Sequence, residues 1–233
     1  MLSFDDEYIK NVYNNIERVK NINMLPINHQ KFLDKMKHDF SFNPNTCYDI
    51  GSAVLHWTRH AERVWPDTKI YLFDAFSPLE KIYDGYEYTI AVLSDVDDKE
   101  IKFYQNDFYF GGNSYYREIG CNNGSFFPET NHILKNTKTI DSIVSEKNYK
   151  LPDLIKIDVQ GAELDVLIGA VKTLKNASYL LIELQEVQYN INAPLVKKTT
   201  EYLNSIGWEC IQEKFSDNGP DADYCFKNKK KLN

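Results

Sequence analysis

From residue 46 onward, short apolar runs alternate with longer amphipathic stretches. Residues 46–50, 69–73, 88–93, 153–157 and 178–184 are rich in β-branched and aromatic side chains, and each reads as a buried strand. Between them, residues 54–65, 77–82, 139–147, 162–175 and 194–206 carry the spacing of helices, the first ended by Pro66. Lys99 to Tyr104 reads as an extra strand that pairs locally, and 207–213 and 222–227 as two final strands. Alternation of this kind predicts right-handed βαβ crossovers and an α/β fold, with a mostly parallel sheet covered by helices on both faces.

Two regions stand outside that rhythm. Residues 1–45 form a short N-terminal helical extension. Ser3 or Asp5 caps a helix with Tyr8, Val12, Ile16 and Val19 on one side, and Pro26 breaks it. A second helix carries Phe32, Leu33 and Met36, and Asn43-Pro44-Asn45 marks a turn. The extension is expected to brace the sheet edge, with a lesser part as a lid. Residues 106–130 read as a loop with Gly111, Gly112, Asn122, Asn123, Gly124 and Pro128, and a structureless stretch this long is often functional. Its aromatic residues and their neighbour Tyr104 (Phe108, Tyr109, Phe110, Tyr115, Tyr116, Phe126, Phe127) form either a covered satellite core or a wall on which sugar C–H faces pack.

Composition narrows the function classes. The 233 residues are 42% hydrophobic and 14% aromatic, enough for a real core. The net charge of -7 argues against a nucleic-acid partner. Lys227 to Lys231 is the only basic run, and residues 228–233 are read as a solvated tail beyond a main domain at 46–227. Cys47, Cys121, Cys210 and Cys225 contain no C-x-x-C pair, which points to free thiols in a reduced, cytoplasmic protein. No run of 18 apolar residues and no signal-peptide pattern occurs, so no membrane partner is expected. Oligomeric state leaves no mark on the sequence.

The candidate chemistry lies where apolar runs end in acids. Leu154-Ile155-Lys156-Ile157 delivers Asp158 to a strand tip, where open α/β sheets bind ligands. Residues 46–50 lead into Gly51 and Ser52, with Asp49 within the run, and a glycine there lets the backbone turn and a ligand approach. A helix starting near Ala53 would aim its amides into the same cleft. Asp74 lies 25 residues after Asp49, at the tip of Lys69–Phe73. An acid there accepts both hydroxyls of a ribose, or caps the helix at 77–82. The dinucleotide fingerprint needs glycines where Ala53 and His56 stand, which disfavours a nicotinamide-dependent oxidoreductase. A ribose without a pyrophosphate loop points to S-adenosyl-L-methionine.

Six segments in order then resemble the FkbM-type family of S-adenosylmethionine-dependent methyltransferases, across residues 46–227. They are Tyr48-Asp49-Ile50-Gly51-Ser52-Ala53, Tyr71 to Phe76, Ala91-Val92-Leu93-Ser94-Asp95, Gly111-Gly112-Asn113-Ser114, Thr139 to Ile143, and Ile155 to Leu164 with Gly169-Ala170. The resemblance implies a class I methyltransferase fold: a Rossmann-like, mostly parallel seven-stranded sheet with its last strand antiparallel. It also implies methyl transfer to a hydroxyl oxygen, often on a sugar or glycan acceptor. Asp49, Gly51, Ser52, Asp74, Ala75, Ser94 and Asp95 are expected to hold the donor. Asp158, Glu163, His56 and Glu183 are the candidates that manage the acceptor proton.

Each candidate also has a plainer role: Asp158 as a turn residue, Glu163 at a helix dipole, His56 as a packing residue, and Asp95 as a turn acid. Asp158 with Glu183 could offer oxygen ligands, but no metal constellation appears. Three departures stand out. Gln160 replaces the family's usual glutamate, Ser52-Ala53 replaces Ala-Asn, and Asp74 replaces glutamate. Gln160 keeps the shape and loses the charge, which leaves a non-catalytic S-adenosylmethionine-binding or nucleotide-binding module as the rival reading.

Overall fold

Alternate residues of each central strand feed two different cores, so the sheet is covered on both sides. The structure is a computed structural model that describes residues 4–22, 25–120, 124–217 and 219–231. Ser3, Cys121, Asn122, Asn123 and the last two residues of the expected tail lie outside the described residues. In chain order the elements are α1 (Phe4–Ile22), α2 (Ile27–His38), β1 (Thr46–Ile50), α3 (His56–Val64), β2 (Lys69–Asp74), β3 (Glu87–Ile90), β4 (Val92–Leu93) and β5 (Glu100–Phe103). They continue as β6 (Ile133–Lys138), α4 (Ile140–Lys147), β7 (Leu154–Ile157), α5 (Glu163–Ile168), α6 (Val171–Leu174), β8 (Tyr179–Gln185), α7 (Val196–Ser205), β9 (Trp208–Asp217) and β10 (Asp221–Asn228).

The main sheet has seven strands in the order β3-β2-β1-β7-β8-β10-β9. Strands β3, β2, β1, β7 and β8 run parallel, and β10 is antiparallel to both neighbours. This is the sheet the resemblance implies. The chain leaves β1 toward β2 and β3, then returns to place β7 on the other side of β1. The switch point at the β1–β7 tips is where such sheets bind ligands. Every residue of β1 and β7 is buried, as two-sided cover requires. On one face Tyr48, Ile50, Ile155, Ile157 and Ile182 pack with Ile140 of α4, Val166 of α5 and Leu203 of α7. On the other, Cys47, Leu72, Leu154 and Leu181 pack with Trp57 and Ala61 of α3, Leu33 and Met36 of α2, and Ile16 of α1.

The N-terminal extension therefore covers a face of the sheet as well as an edge. Leu33 and Met36 are fully buried. At the edge, Phe32 stacks on Phe215 of β9 with ring centroids 4.1 Å apart. α1 also reaches the long loop: Tyr8 Oη donates to Asp107 at 2.8 Å and Asn15 Nδ2 to the Phe108 carbonyl at 3.0 Å.

Several boundaries depart from the expected pattern. The apolar run 88–93 is two strands. Ala91 N donates to the Asp74 carbonyl, and Val92 then pairs with Thr137 in a separate three-stranded sheet, β4-β6-β5. The partner of β5 is β6, some 30 residues away and half exposed at Ile133 and Leu134, so it lacks a buried strand's signature. Residues 77–82 form a 3-10 helix, and α3 begins at His56 rather than near Ala53, because Ala53 and Leu55 adopt positive φ. The helix expected at 162–175 is broken at Gly169-Ala170, where the chain packs on the Ser94 carbonyl. The basic run does not start as a tail, because Lys227 and the buried Asn228 complete β10. Among the described residues, no helix is long and apolar enough to cross a membrane.

Gly169 offers a test of that packing. A Cβ built there would lie 2.1 Å from the Ser94 carbonyl oxygen, which is backbone and cannot swing away. Gly169→Ala is expected to lower stability by about 1–3 kcal/mol, from the backbone shift that overpacking forces. Urea unfolding reads the loss.

Candidate active site

The site is built on the crossing of β1 and β7. Asp158 N donates to the Ile50 carbonyl at 3.0 Å, which draws the two strand tips together. Gly51 sits at this crossing with φ +77°, and a Cβ there would fall 1.7 Å from the Asp158 carbonyl oxygen. Both the conformation and the close approach demand glycine. Just before the tips, register places Asp49 beside Lys156. Lys156 Nζ lies 3.2 Å from Asp49 Oδ1, 2.7 Å from the Gly51 carbonyl oxygen and 3.5 Å from Asp158 Oδ2. Thr58 Oγ1 completes the cluster by donating to Asp49 Oδ2 at 2.5 Å. Burial pulls the Lys156 ammonium toward neutrality, but Asp49 and Asp158 outweigh it and hold its pKa above the ordinary lysine value. Burial raises the Asp49 carboxyl, against the opposing pull of Lys156 and Thr58.

A cavity opens above this crossing. It is lined by Asp74 and Ala75 from the β2 tip, by Gly51 and Ala53 after β1 and by Asp158, Gln160 and Ala162 after β7, with Leu93, Phe103, Phe110 and Tyr115 among its apolar walls. Asp74 and Asp158 thus face one cleft at the same end of the sheet. The Asp74 carboxylate accepts from Ala53 N and Phe76 N, each at 2.9 Å. Tyr83 Oη, at 3.5 Å, and the Ala75 amide also approach the carboxylate, so these weaker contacts share the sites a ligand hydroxyl would use. Burial raises the Asp74 carboxyl, and these amides oppose the shift. Lys135 of β6 donates to the Ala75 carbonyl at 2.7 Å and secures the adjoining backbone.

The other expected donor-site residues sit behind this lining. Asp49 is fully buried beneath the cavity in the ion pair. Ser52 Oγ donates to the Asp49 carbonyl at 2.6 Å and so stabilises the turn. Ser94 Oγ lies 3.1 Å from Asp95 Oδ1 and 3.3 Å from Tyr115 Oη, while Asp95 itself is exposed. Ser94 and Asp95 are not among the cavity's lining residues, and they touch it only through Tyr115.

The four proton-handling candidates fall into different settings. Gln160, held at φ +58°, donates through Nε2 to Asp158 Oδ1 and Glu183 Oε2, each at 3.0 Å. Tyr189 Oη donates to Gln160 Oε1 at 2.8 Å. The amide therefore clamps two carboxyls together, a job that needs two donors on one atom and that glutamate, with at most one proton, could not do. Burial first, then Asp158, Asp221 and Asp223, push the Glu183 carboxyl well above the ordinary range. Glu163 turns back on its own helix and accepts from Val159 N and Gly161 N, each at 3.1 Å. His56 Nε2 lies 3.3 Å from the Lys20 carbonyl oxygen, and burial lowers its pKa.

Sequence reasoning passed over several residues of this site. Lys156 was hidden within an apolar run, yet a lysine inside a buried strand requires a partner, and Asp49 occupies the neighbouring strand. Tyr189 and Lys135 carried no local signal. The aromatic loop divides: Phe110 and Phe127 are buried, while Phe108 and Tyr109 are exposed beside a further opening lined also by Arg18 and Phe126. Tyr115 and Tyr116 both donate to Asp165 Oδ2, at 2.9 and 2.8 Å, and tie the loop to α5.

Comparison with known proteins follows this geometry. The sequence profile described as the Methyltransferase FkbM domain matches residues 49–210. No curated protein matches the chain. A crystal structure of methyltransferase FkbM from Methylobacillus flagellatus KT superposes on 95% of this chain, with a TM-score of 0.50 and 12% identity. The chain spans 60% of the length of that protein. A Klebsiella pneumoniae structure named as an O-methyltransferase matches with a TM-score of 0.52 and 12% identity, over 96% of this chain and 90% of its own. At such identities the likeness speaks for the fold.

Two measurements test the electrostatics. Lys156→Met strands a fully buried Asp49 carboxylate and is expected to cost about 3–5 kcal/mol in urea unfolding. For Glu163, burial raises the pKa to about 7 against the backbone amides that oppose the shift. Near pH 4 the carboxyl is largely neutral whether the chain is folded or not, so it makes little difference to stability. Between the ordinary glutamate value of 4.5 and about 7 the unfolded chain ionises first, so stability falls as pH rises. Above that window the whole cost remains. Glu163→Gln keeps an acceptor for both amides. It should match the parent near pH 4 and exceed it by up to about 3 kcal/mol at pH 8.

Proposed function

The chain belongs to the FkbM methyltransferase family, and from that premise we propose that it transfers a methyl group from S-adenosylmethionine to a hydroxyl oxygen of a sugar or glycan. The observation that carries this reading is one cavity joining Asp74 at the tip of β2 with Asp158 at the tip of β7. The residues present fit the cofactor. Asp74 lines the cavity as an acceptor for a ribose hydroxyl, Gly51 lets the backbone come close, and Leu93 and Phe103 offer apolar walls for a base. S-adenosylmethionine supplies an activated methyl group on a sulfonium. Ala53 and His56 stand where the pyrophosphate-cradling glycines would be, which counts against a dinucleotide.

The protein's own contribution is positioning. Asp158, fixed by Lys156 and Gln160, presents a carboxylate where an acceptor hydroxyl can donate to it. The Gln160 clamp keeps Asp158 and Glu183 in place, which favours an enzyme over a passive binding module. The exposed rings of Phe108 and Tyr109 suit the C–H faces of a sugar. The described cysteines are free thiols, which suits a reducing compartment such as the cytoplasm. The net charge of -7 suits a small-molecule or glycan acceptor better than a nucleic acid.

Calorimetry should detect S-adenosylmethionine binding, and no heat at millimolar ligand would sink the reading. Asp74→Ala should weaken that binding at least tenfold. Asp158→Asn should hold affinity within a few fold while turnover drops by about 100-fold, measured as methyl mass gained by a panel of nucleotide-sugars and free glycans.

A further inference from the structure

A second cavity adjoins the first, and Gly51, Ala53 and Asp158 line both. Its volume is about 220 Å³, far more than the roughly 10–15 Å³ that one water needs on this measure. Leu25, Pro26 and His29 close it from the N-terminal segment, Trp57 from α3, Glu183 from β8 and Asp223 from β10. Its wall is about evenly polar and apolar, where that of the first cavity is mainly apolar.

Among the described residues, two buried groups on its wall have no hydrogen-bond partner. His29 is 4% exposed and its Nε2 is unpaired; Trp57 is 3% exposed and its Nε1 is likewise unpaired. Buried polar atoms are rarely left so without a ligand or water to meet them. The opposite nitrogen of His29 is engaged, with Nδ1 3.4 Å from Asp223 Oδ2. The ring edge is fixed by Phe215, with centroids 4.9 Å apart at 90°. A carboxylate this close to Nδ1 favours the tautomer with its proton on that side, which would leave Nε2 able to accept one.

The other candidates for that task are occupied. Glu163 is bound to two backbone amides, His56 lies against the Lys20 carbonyl, Glu183 is clamped by Gln160, and Asp158 sits beside the Lys156 ammonium. Resting on the methyltransferase reading, we propose that the second cavity seats the acceptor and that His29, oriented by Asp223, takes the proton of the hydroxyl to be methylated. The acceptor oxygen forms its bond to the methyl carbon as the carbon–sulfur bond breaks and its electron pair stays on sulfur. The hydroxyl proton passes to Nε2 and leaves later to solvent. Trp57 N–H offers a donor, while the Asp158 and Glu183 carboxyls offer acceptor oxygens. A wall of mixed donors and acceptors matches a polyol, whose hydroxyls do both. His29 and Asp223 both lie outside residues 49–210, so this chain's flanking segments supply the pair.

The test uses the full chain loaded with S-adenosylhomocysteine. Long-range proton–nitrogen spectra at pH 8, assigned through ring-to-backbone correlations, should show His29 with Nδ1 protonated and Nε2 bare. A proton on Nε2 would overturn the proposal. Labelled S-adenosylmethionine is then supplied with a pool of methyl glycosides and nucleotide-sugars. His29→Gln should cut methyl transfer at least 100-fold while donor affinity stays within twofold. A variant that folds and transfers within threefold of the parent would also overturn it. If the parent itself methylates nothing in the pool, the sugar reading fails, and the His29 tautomer still decides whether this imidazole is poised as a base.

Discussion

One buried ammonium organises this molecule. Lys156 reaches Asp49, the Gly51 carbonyl and Asp158 from the middle of an otherwise apolar strand, and it does so at the topological switch point of the sheet. A lone charge there would be very costly, so the lysine and the fully buried Asp49 depend on each other. Their pairing joins the central strands β1 and β7 through side chains as well as backbone. It also fixes the orientation of Asp158, the first polar group beyond the β7 tip.

The cleft grows out of that joint as two unlike halves. On the β2 side Asp74 and mainly apolar walls line a cavity that the backbone can approach closely because residue 51 has no side chain. On the β8 and β10 side, carboxyls, an imidazole and an indole line a more polar pocket. Gln160 belongs to the boundary. In sequence its missing charge looked like a loss, but in the fold a neutral amide is the group that can bridge two carboxyls that would otherwise repel.

Physical chemistry explains which elements were legible. β1, β2, β7 and β8 are buried on both faces and read as continuous apolar runs, so their positions came within a residue or two of the structure. β6 was invisible because half its residues face solvent and its partner is remote. The run 88–93 looked like one strand because composition cannot tell that Ala91 bends the chain toward a second sheet. Gly169 weakened nothing in the helical pattern of 162–175, yet contact with the Ser94 carbonyl broke the helix there.

The amino-acid sequence by itself determined the alternation of strands and helices, the acids at strand tips, the glycine at residue 51 and the family these imply. Those features are local, and a strand's burial or a turn's need for glycine is written in adjacent residues. Only the tertiary structure decided which polar groups meet. Lys156 finds Asp49 across 107 residues, Gln160 spans to Glu183, and His29 meets Asp223 from opposite ends of the chain. Such pairings depend on strand order and helix docking, which bring distant side chains within a few ångströms and remove the water that would otherwise screen them.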